Sequence, residues 1–235
     1  MKFCLAQTEP VAGDIAANIQ DHLNKVNDAI SQSADLIIFS ELSITGYEPE
    51  LAKGLAMDLK DQRLDPFQAL SDGHDIIICI GAPIKVKEGI NISLVLFQPQ
   101  QSRSIYSKQY LHEDELPYFV PGLQSNGIIE AEKRVALAIC YELTIPEHSE
   151  TANSNDAEVY IASVAKTVNG VARNNPRLAE IAKQYSIPVL MCNCVGAFDG
   201  NTGGGQSGAW NSEGELVEAL GEKAKGFLLF DSENL

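Results

Sequence analysis

Four side chains in this sequence have the types and settings that acyl transfer needs. Cys140 ends the apolar run Arg134–Cys140 and is followed at once by Tyr141-Glu142-Leu143-Thr144-Ile145-Pro146. At the end of a buried strand, where the chain turns toward a helix, a thiol is exposed and backbone N–H groups converge on it. Such donors can lower a thiol pKa and can hold an oxyanion. Glu41 follows a second apolar run, Asp35–Ser40, which puts a carboxylate at a strand's carboxyl end, where open α/β sheets gather their ligands. Partial burial there raises a carboxyl pKa toward that of a general base. Lys108 lies just past the strand-like Ser104–Ser107, and Glu115 follows in the same segment. A fixed ammonium can hold the charge of a tetrahedral intermediate, and a nearby carboxylate can orient it and keep it protonated.

The elements that must position these groups alternate between strand and helix, which favours a layered α/β fold over a bundle. Strands are expected at 2–8, 35–39, 75–81, 93–98 and 104–107, then at 127–131, 135–140, 159–164 and 189–194. Three more, at 209–212, 215–219 and 226–230, close the chain. Asp14 is a suitable N-cap for a helix carrying Ile15, Ile19, Leu23, Val26 and Ile30 on one face. Further helices are expected at 146–152 and at 173–185, the latter with Pro176 in its first turn. The segment Asp199–Gln206 reads as a loop. No linker, low-complexity tract or repeat interrupts the pattern, so residues 1–235 are expected to form a single domain.

Bulk properties exclude several partners. A formal charge of −15 repels phosphate backbones, so nucleic acid is not an expected partner. No apolar run reaches the roughly 20 residues of a membrane span, and no signal peptide is evident, which points to the cytoplasm. The five cysteines lack the spacing of a disulfide framework and are expected as reduced thiols. His22, His74, His112 and His148 are scattered without metal-ligand spacing, so neither a metal nor another cofactor is expected. His112 reads as loop filling. Nothing in the sequence pairs a particular histidine with Cys140, as a papain-like hydrolase would require, and the glycines at 203–205 lack the lysine of a phosphate loop.

Taken together, the segments resemble the nitrilase superfamily of carbon–nitrogen hydrolases. Phe39-Ser-Glu41-Leu-Ser-Ile-Thr-Gly46-Tyr47 looks like that family's glutamate motif. The stretch from Tyr106 through Lys108 and Glu115 to Gly122 looks like its lysine motif, and Cys140-Tyr-Glu-Leu-Thr-Ile-Pro146-Glu147 like its nucleophile motif. Asn193–Gly196 and Gly205–Ser207 resemble its closing strands. The resemblance implies an α/β fold of four layers, an αββα sandwich with two central sheets and helices outside, paired into a homodimer. The family's C-terminal arm is not expected, since the sequence ends at Leu235, soon after the last strand.

By the same resemblance, Glu41, Lys108, Cys140 and Glu115 would form the catalytic group of an enzyme cleaving a small amide. Amidase, omega-amidase and carbamoyl-amide chemistry all share the cysteine thioester route, and nitrile hydrolysis is less expected. Tyr47, Tyr141, Leu143, Thr144, Lys166 and Arg173 are candidates to contact the substrate; a cation at 166 or 173 would suit a carboxylate-bearing amide. The competing reading is a non-catalytic small-molecule binder on the same scaffold, for which the trio of base, ammonium and thiol would have no use.

Overall fold

The computed structural model describes residues 1–233; Asn234 and Leu235, the end of the terminal segment read above, lie outside them. In the first half, β1 (Lys2–Gln7), α1 (Ile15–Ser31) and β2 (Leu36–Phe39) are followed by short α2 (Ala52–Leu55) and α3 (Asp65–His74). Then come β3 (Ile77–Val86), β4 (Gly89–Phe97) and β5 (Ser104–Ser107). The second half begins with β6 (Ile128–Glu130), β7 (Arg134–Ile139), α4 (Pro146–Ser154), β8 (Val159–Ser163) and α5 (Val168–Tyr185). It ends with β9 (Val189–Cys192), β10 (Val195–Phe198), β11 (Asn201–Gly204), β12 (Gly208–Trp210), β13 (Leu216–Ala219) and β14 (Gly226–Asp231).

Two six-stranded sheets result, ordered β14-β1-β2-β3-β4-β5 and β13-β12-β9-β8-β7-β6. Each has a parallel trio at its heart, β1-β2-β3 in one and β7-β8-β9 in the other, flanked by antiparallel strands. The continuous apolar runs now have a cause: alternate residues serve different layers. Leu36 and Ile38 face the second sheet, where Val135, Leu137, Ile139 and Ile161 meet them. Ile37 and Phe39 point the other way and pack with Val26 and Ala29 of α1 and Phe67 of α3. On the second sheet, the small outward residues Ala136, Ala138 and Ala162 lie with Val171, Leu178 and Ile181 of α5. This is the αββα order of layers.

Polar bonds stitch the sheets together near the carboxyl ends of the parallel strands. Ser163 Oγ donates to Phe39 O (2.8 Å), and Cys192 Sγ to Ile38 O (3.2 Å). The segments that leave β2 and β7 are therefore held beside each other.

Several boundaries differ from expectation. Pro83 ends the apolar run in the sequence, yet β3 continues through it to Val86 and turns directly into β4 at Lys87-Glu88. Helix α5 starts five residues before Arg173, at a Thr167 cap whose hydroxyl accepts from Gly170 N (3.1 Å). Pro176 thus lies in the helix interior; ahead of it, the side chains of Arg173 and Asn174 bond the carbonyls of Asn169 and Gly170. The segment read as a loop from Asp199 is a hairpin, β10 to β11, turning at Asp199-Gly200 with positive φ at both residues. That is the geometry for which Asp-Gly is selected.

Candidate active site

Cys140 follows β7 directly and opens a 3-10 turn, Cys140–Thr144. Its φ of +46° lies in the left-handed region, a sparsely populated setting for a residue with a side chain. The reversal carries Sγ out of the strand and into a cleft, where the residue is only partly exposed. The first N–H groups of the turn, beginning with Tyr141, have no acceptor within it.

Glu41 emerges two residues past β2, and Leu42 behind it also has positive φ, +52°. Lys108 follows β5 directly, with its backbone N–H on Ile92 O (2.8 Å) and its carbonyl accepting from Gly122 N (2.7 Å). Three distant segments therefore bring a carboxylate, an ammonium and a thiol together: Lys108 and Cys140 line one cavity, and Glu41 lies behind them on the lysine. Lys108 Nζ lies 2.7 Å from Glu41 Oε1 and 2.6 Å from Glu115 Oε1, and all three residues are buried.

The two carboxylates are not equivalent. Glu115 is saturated: Lys108 Nζ and Tyr47 Oη (2.9 Å) donate to Oε1, and His112 N donates to Oε2 (2.8 Å). Glu41 takes the lysine bond on Oε1, and its Oε2 is buried with no partner at full hydrogen-bond distance, the Cys140 thiol being the neighbour that acts on this carboxylate. An orphaned carboxylate oxygen beside a thiol is an acceptor waiting for a proton. Glu115 is suited instead to hold the lysine.

Electrostatics agree with these roles. Burial drives the Glu41 pKa up, Lys108 pulls it down and Glu115 pushes it up again, leaving it raised. Burial alone would depress Lys108, but the charges of its neighbours, Glu41 first and Glu115 with its hydrogen bond, outweigh it and hold the ammonium. For Cys140, burial and then Glu41 raise the thiol pKa against the pull of Lys166 and Lys108. The helix-start effect expected to lower that pKa is overridden, so the thiol needs a base before it can act as a nucleophile.

The cleft is a cavity of about 310 Å³. Of the expected contact residues, Tyr47, Tyr141, Lys166 and Arg173 line it. Leu143 does not: the 3-10 turn swings it under the second sheet, where it is fully buried with α5. Thr144 is also elsewhere, exposed with its hydroxyl on Tyr141 O (2.7 Å). His112 is more than loop filling, since its ring lines the cleft, contacts Tyr141 edge-on and bonds Asp114 (2.7 Å). Phe198, Asp199 and Asn201 of the β10–β11 hairpin complete one wall. The Asp199-Gly200 pair was the signal in the sequence that could have placed them. A cavity of about 360 Å³ beside His148 and Thr151 contains neither the thiol nor the lysine.

Residues 3–231 match the sequence pattern of the carbon–nitrogen hydrolases. The chain belongs to that family. Among curated relatives, a glutamine-dependent NAD(+) synthetase of Acinetobacter baylyi is 29% identical over 223 residues, 92% of this chain and 41% of the relative. An (R)-stereoselective amidase of a Pseudomonas species is 26% identical over 201 residues, 85% of this chain and 73% of the relative. The chain thus spans about two fifths of the synthetases it matches. Among solved structures, the NitN amidase from Neterenkonia sp. AN1 superposes with a TM-score of 0.89 at 22% identity, covering 98% of this chain and 92% of that one. An amidase variant from Nesterenkonia sp. AN1, carrying the acetamide moiety of fluoroacetamide on its active-site cysteine, gives 0.88 at 21%, covering 97% and 89%. These likenesses are of fold: two central sheets with helices outside. Among the described residues, no helix is long and apolar enough to cross a membrane.

Proposed function

We propose that this carbon–nitrogen hydrolase cleaves the C–N bond of a small linear amide through a thioester on Cys140. The observation that carries the reading is the buried cluster in which Glu41, with one unpartnered carboxylate oxygen, shares Lys108 with the saturated Glu115 at the floor of the cavity holding Cys140. Glu41 takes the thiol proton and Sγ attacks the amide carbon. Lys108 and the Tyr141 N–H hold the oxyanion, and one such donor is worth about 3 kcal/mol. Glu41 passes the proton to the departing nitrogen, and ammonia or an amine leaves. Water then attacks the thioester, giving a proton to Glu41, which returns it to Sγ as the carboxylic acid is released.

The rim of the cleft favours an omega-amide carrying both an amine and a carboxylate. Lys166 and Arg173 supply cations on the α5 side. Asp114 and Asp199 supply acids; burial and then the charges of Glu48 and Asp114 raise the Asp199 pKa, so these acids crowd one another. Glutamine fits this polarity, and the curated synthetases similar to this chain are named as glutamine-dependent. Ammonia release should be measured with glutamine, asparagine, butyramide, ureido acids and aliphatic nitriles. Release from carboxamides that disappears in Cys140→Ala supports the reading. No ammonia from any of them, with Cys140 shown to be a free thiol, would leave the non-catalytic binder.

A further inference from the structure

Glu142 is as deeply buried as Glu41, Lys108 and Glu115, yet its hydrogen bonds go elsewhere. Oε1 accepts from the backbone N–H of Gln109 (2.6 Å), the residue after Lys108. Oε2 accepts from the backbone N–H of Ile139 (2.8 Å), the residue before Cys140, and from Tyr106 Oη (2.8 Å), two residues ahead of Lys108. Lys108 hangs from the edge strand of one sheet and Cys140 from a strand of the other. One carboxylate therefore joins the neighbours of the lysine to the neighbour of the nucleophile across the gap between the sheets.

The network extends outward in a consistent direction. Tyr106 gives its proton to Glu142, so its oxygen accepts from Nε2–H of His148 (2.8 Å), and His148 Nδ1 accepts from Tyr160 Oη (2.9 Å). That assignment needs a neutral imidazole, and burial pushes the His148 pKa down to about 4. Every member is satisfied, which fixes the carboxylate in one orientation. Stability does not explain such a group, because a well-packed apolar residue in its place is often neutral or stabilising. Charge-assisted bonds to two backbone N–H groups do fix backbone positions.

We propose that Glu142 is a positioning residue, whose carboxylate clamps the Lys108 segment to the Cys140 turn and keeps ammonium and thiol in register for reaction. The inference rests on the proposed function, in which those two groups act together on one carbonyl. A protonated Glu142 would have to turn an O–H toward one of its three donors, so acid should loosen the clamp. Burial raises the Glu142 pKa to about 7 against the pull of the Gln109 and Ile139 N–H groups, Tyr106 and Lys108. The other titratable groups facing it lie far from neutrality: His148 is shifted down, and Tyr106, Tyr160 and Lys108 are shifted up.

The test compares Glu142→Gln and Tyr106→Phe with the wild-type chain, in amide turnover and in Cys140 alkylation by iodoacetamide. Glu142→Gln should lower kcat roughly 10- to 100-fold with KM little changed, because ångström-scale misplacement of a reacting group costs up to about 100-fold. It should also erase an acid limb near neutral pH, which a merely structural role would leave in place. Tyr106→Phe keeps the ring and removes one donor, so a smaller fall of about fivefold is expected, and it serves if Glu142→Gln does not fold. Folded variants with wild-type kcat, acid limb and alkylation rate would overturn the clamp. A wild-type chain that turns over no amide would sink the functional reading alone; the clamp would then stand or fall on whether the variants slow alkylation.

Discussion

Gly81 of β3 lies directly against Glu41: a Cβ on the glycine would sit 3.0 Å from the Glu41 carbonyl carbon and 2.3 Å from Ser40 O. Gly81 O also accepts from Ile44 N (3.0 Å), so the turn carrying Glu41 rests on this strand. Neither clashing atom belongs to a flexible side chain, and the glutamate segment must move if Gly81 gains a methyl. Gly81→Ala should cost about 1–3 kcal/mol of stability as an overpacking change. Because the displaced residue is the proposed base, kcat should fall by roughly 100-fold, as for other misplacements of this size. Urea denaturation and steady-state kinetics on the same preparation check both. Full activity in the variant would mean that the backbone around Glu41 is not held by this contact.

The strained backbone at Cys140 gives a prediction with a sign. At most positions glycine is less stable than alanine by roughly 0.5–1 kcal/mol. At φ +46° the order should reverse, because the left-handed conformation costs a residue with a Cβ about 1–2 kcal/mol. Cys140→Gly should therefore match or exceed Cys140→Ala in unfolding free energy, while neither turns over amide. If alanine is the more stable of the two by about 1 kcal/mol, the turn carries no strain that glycine can relieve.

How much of this was legible in the sequence depended on whether the cue was local. Cys140, Glu41 and Lys108 stand at the ends of apolar strand runs, and a strand end predicts a sheet edge without knowledge of the partner strands. Their convergence was not local, and it reached the reading only through family resemblance. Glu142 and Glu41 look alike in the sequence, each a lone carboxylate beyond a strand; only coordinates show that one bonds two backbone N–H groups while the other keeps a bare oxygen. Leu143 was misplaced because a 3-10 turn and an α-helical first turn send the same residue to different faces. Pro176 hid the start of α5, since the Thr167 cap lies far ahead of it. The Asp199-Gly200 turn is legible locally, since Asp-Gly suits positive φ at both residues, but the glycines that follow it give the segment the composition of a loop.

Thiol chemistry separates the proposed nucleophile from the other cysteines. Cys4, Cys79, Cys192 and Cys194 are buried, and desolvation is the main cause that raises each pKa, to about 12 for Cys4 and Cys194. Cys140 alone is partly exposed and has a carboxylate able to take its proton. Iodoacetamide near neutral pH should label Cys140 first, read by peptide mass mapping, and Glu41→Gln should slow that labelling. Equal labelling of all five thiols in folded protein would argue for the binder.

Removing the lysine should damage the fold as well as the chemistry. Among the described residues, Lys108 is the only cation paired with Glu41 and Glu115, and all three are buried. Lys108→Ala leaves two buried carboxylates without their shared cation, and breaking a buried pair in this way costs about 3–5 kcal/mol. The pH dependence follows from the sign of the remaining shift. Burial and the Glu115 charge already raise Glu41, and without the ammonium nothing in the trio opposes them. Carboxyls whose folded pKa lies above the unfolded value make the folded state bind more protons, so stability is lost as pH rises through the folded pKa. The deficit of Lys108→Ala against wild type should therefore be larger at pH 8 than at pH 5. The double variant Lys108→Ala/Glu41→Gln, which removes one of the two stranded charges, should recover part of it. Urea unfolding at both pH values gives the comparison, and a deficit independent of pH would show that the two carboxylates are not ionised together around the lysine.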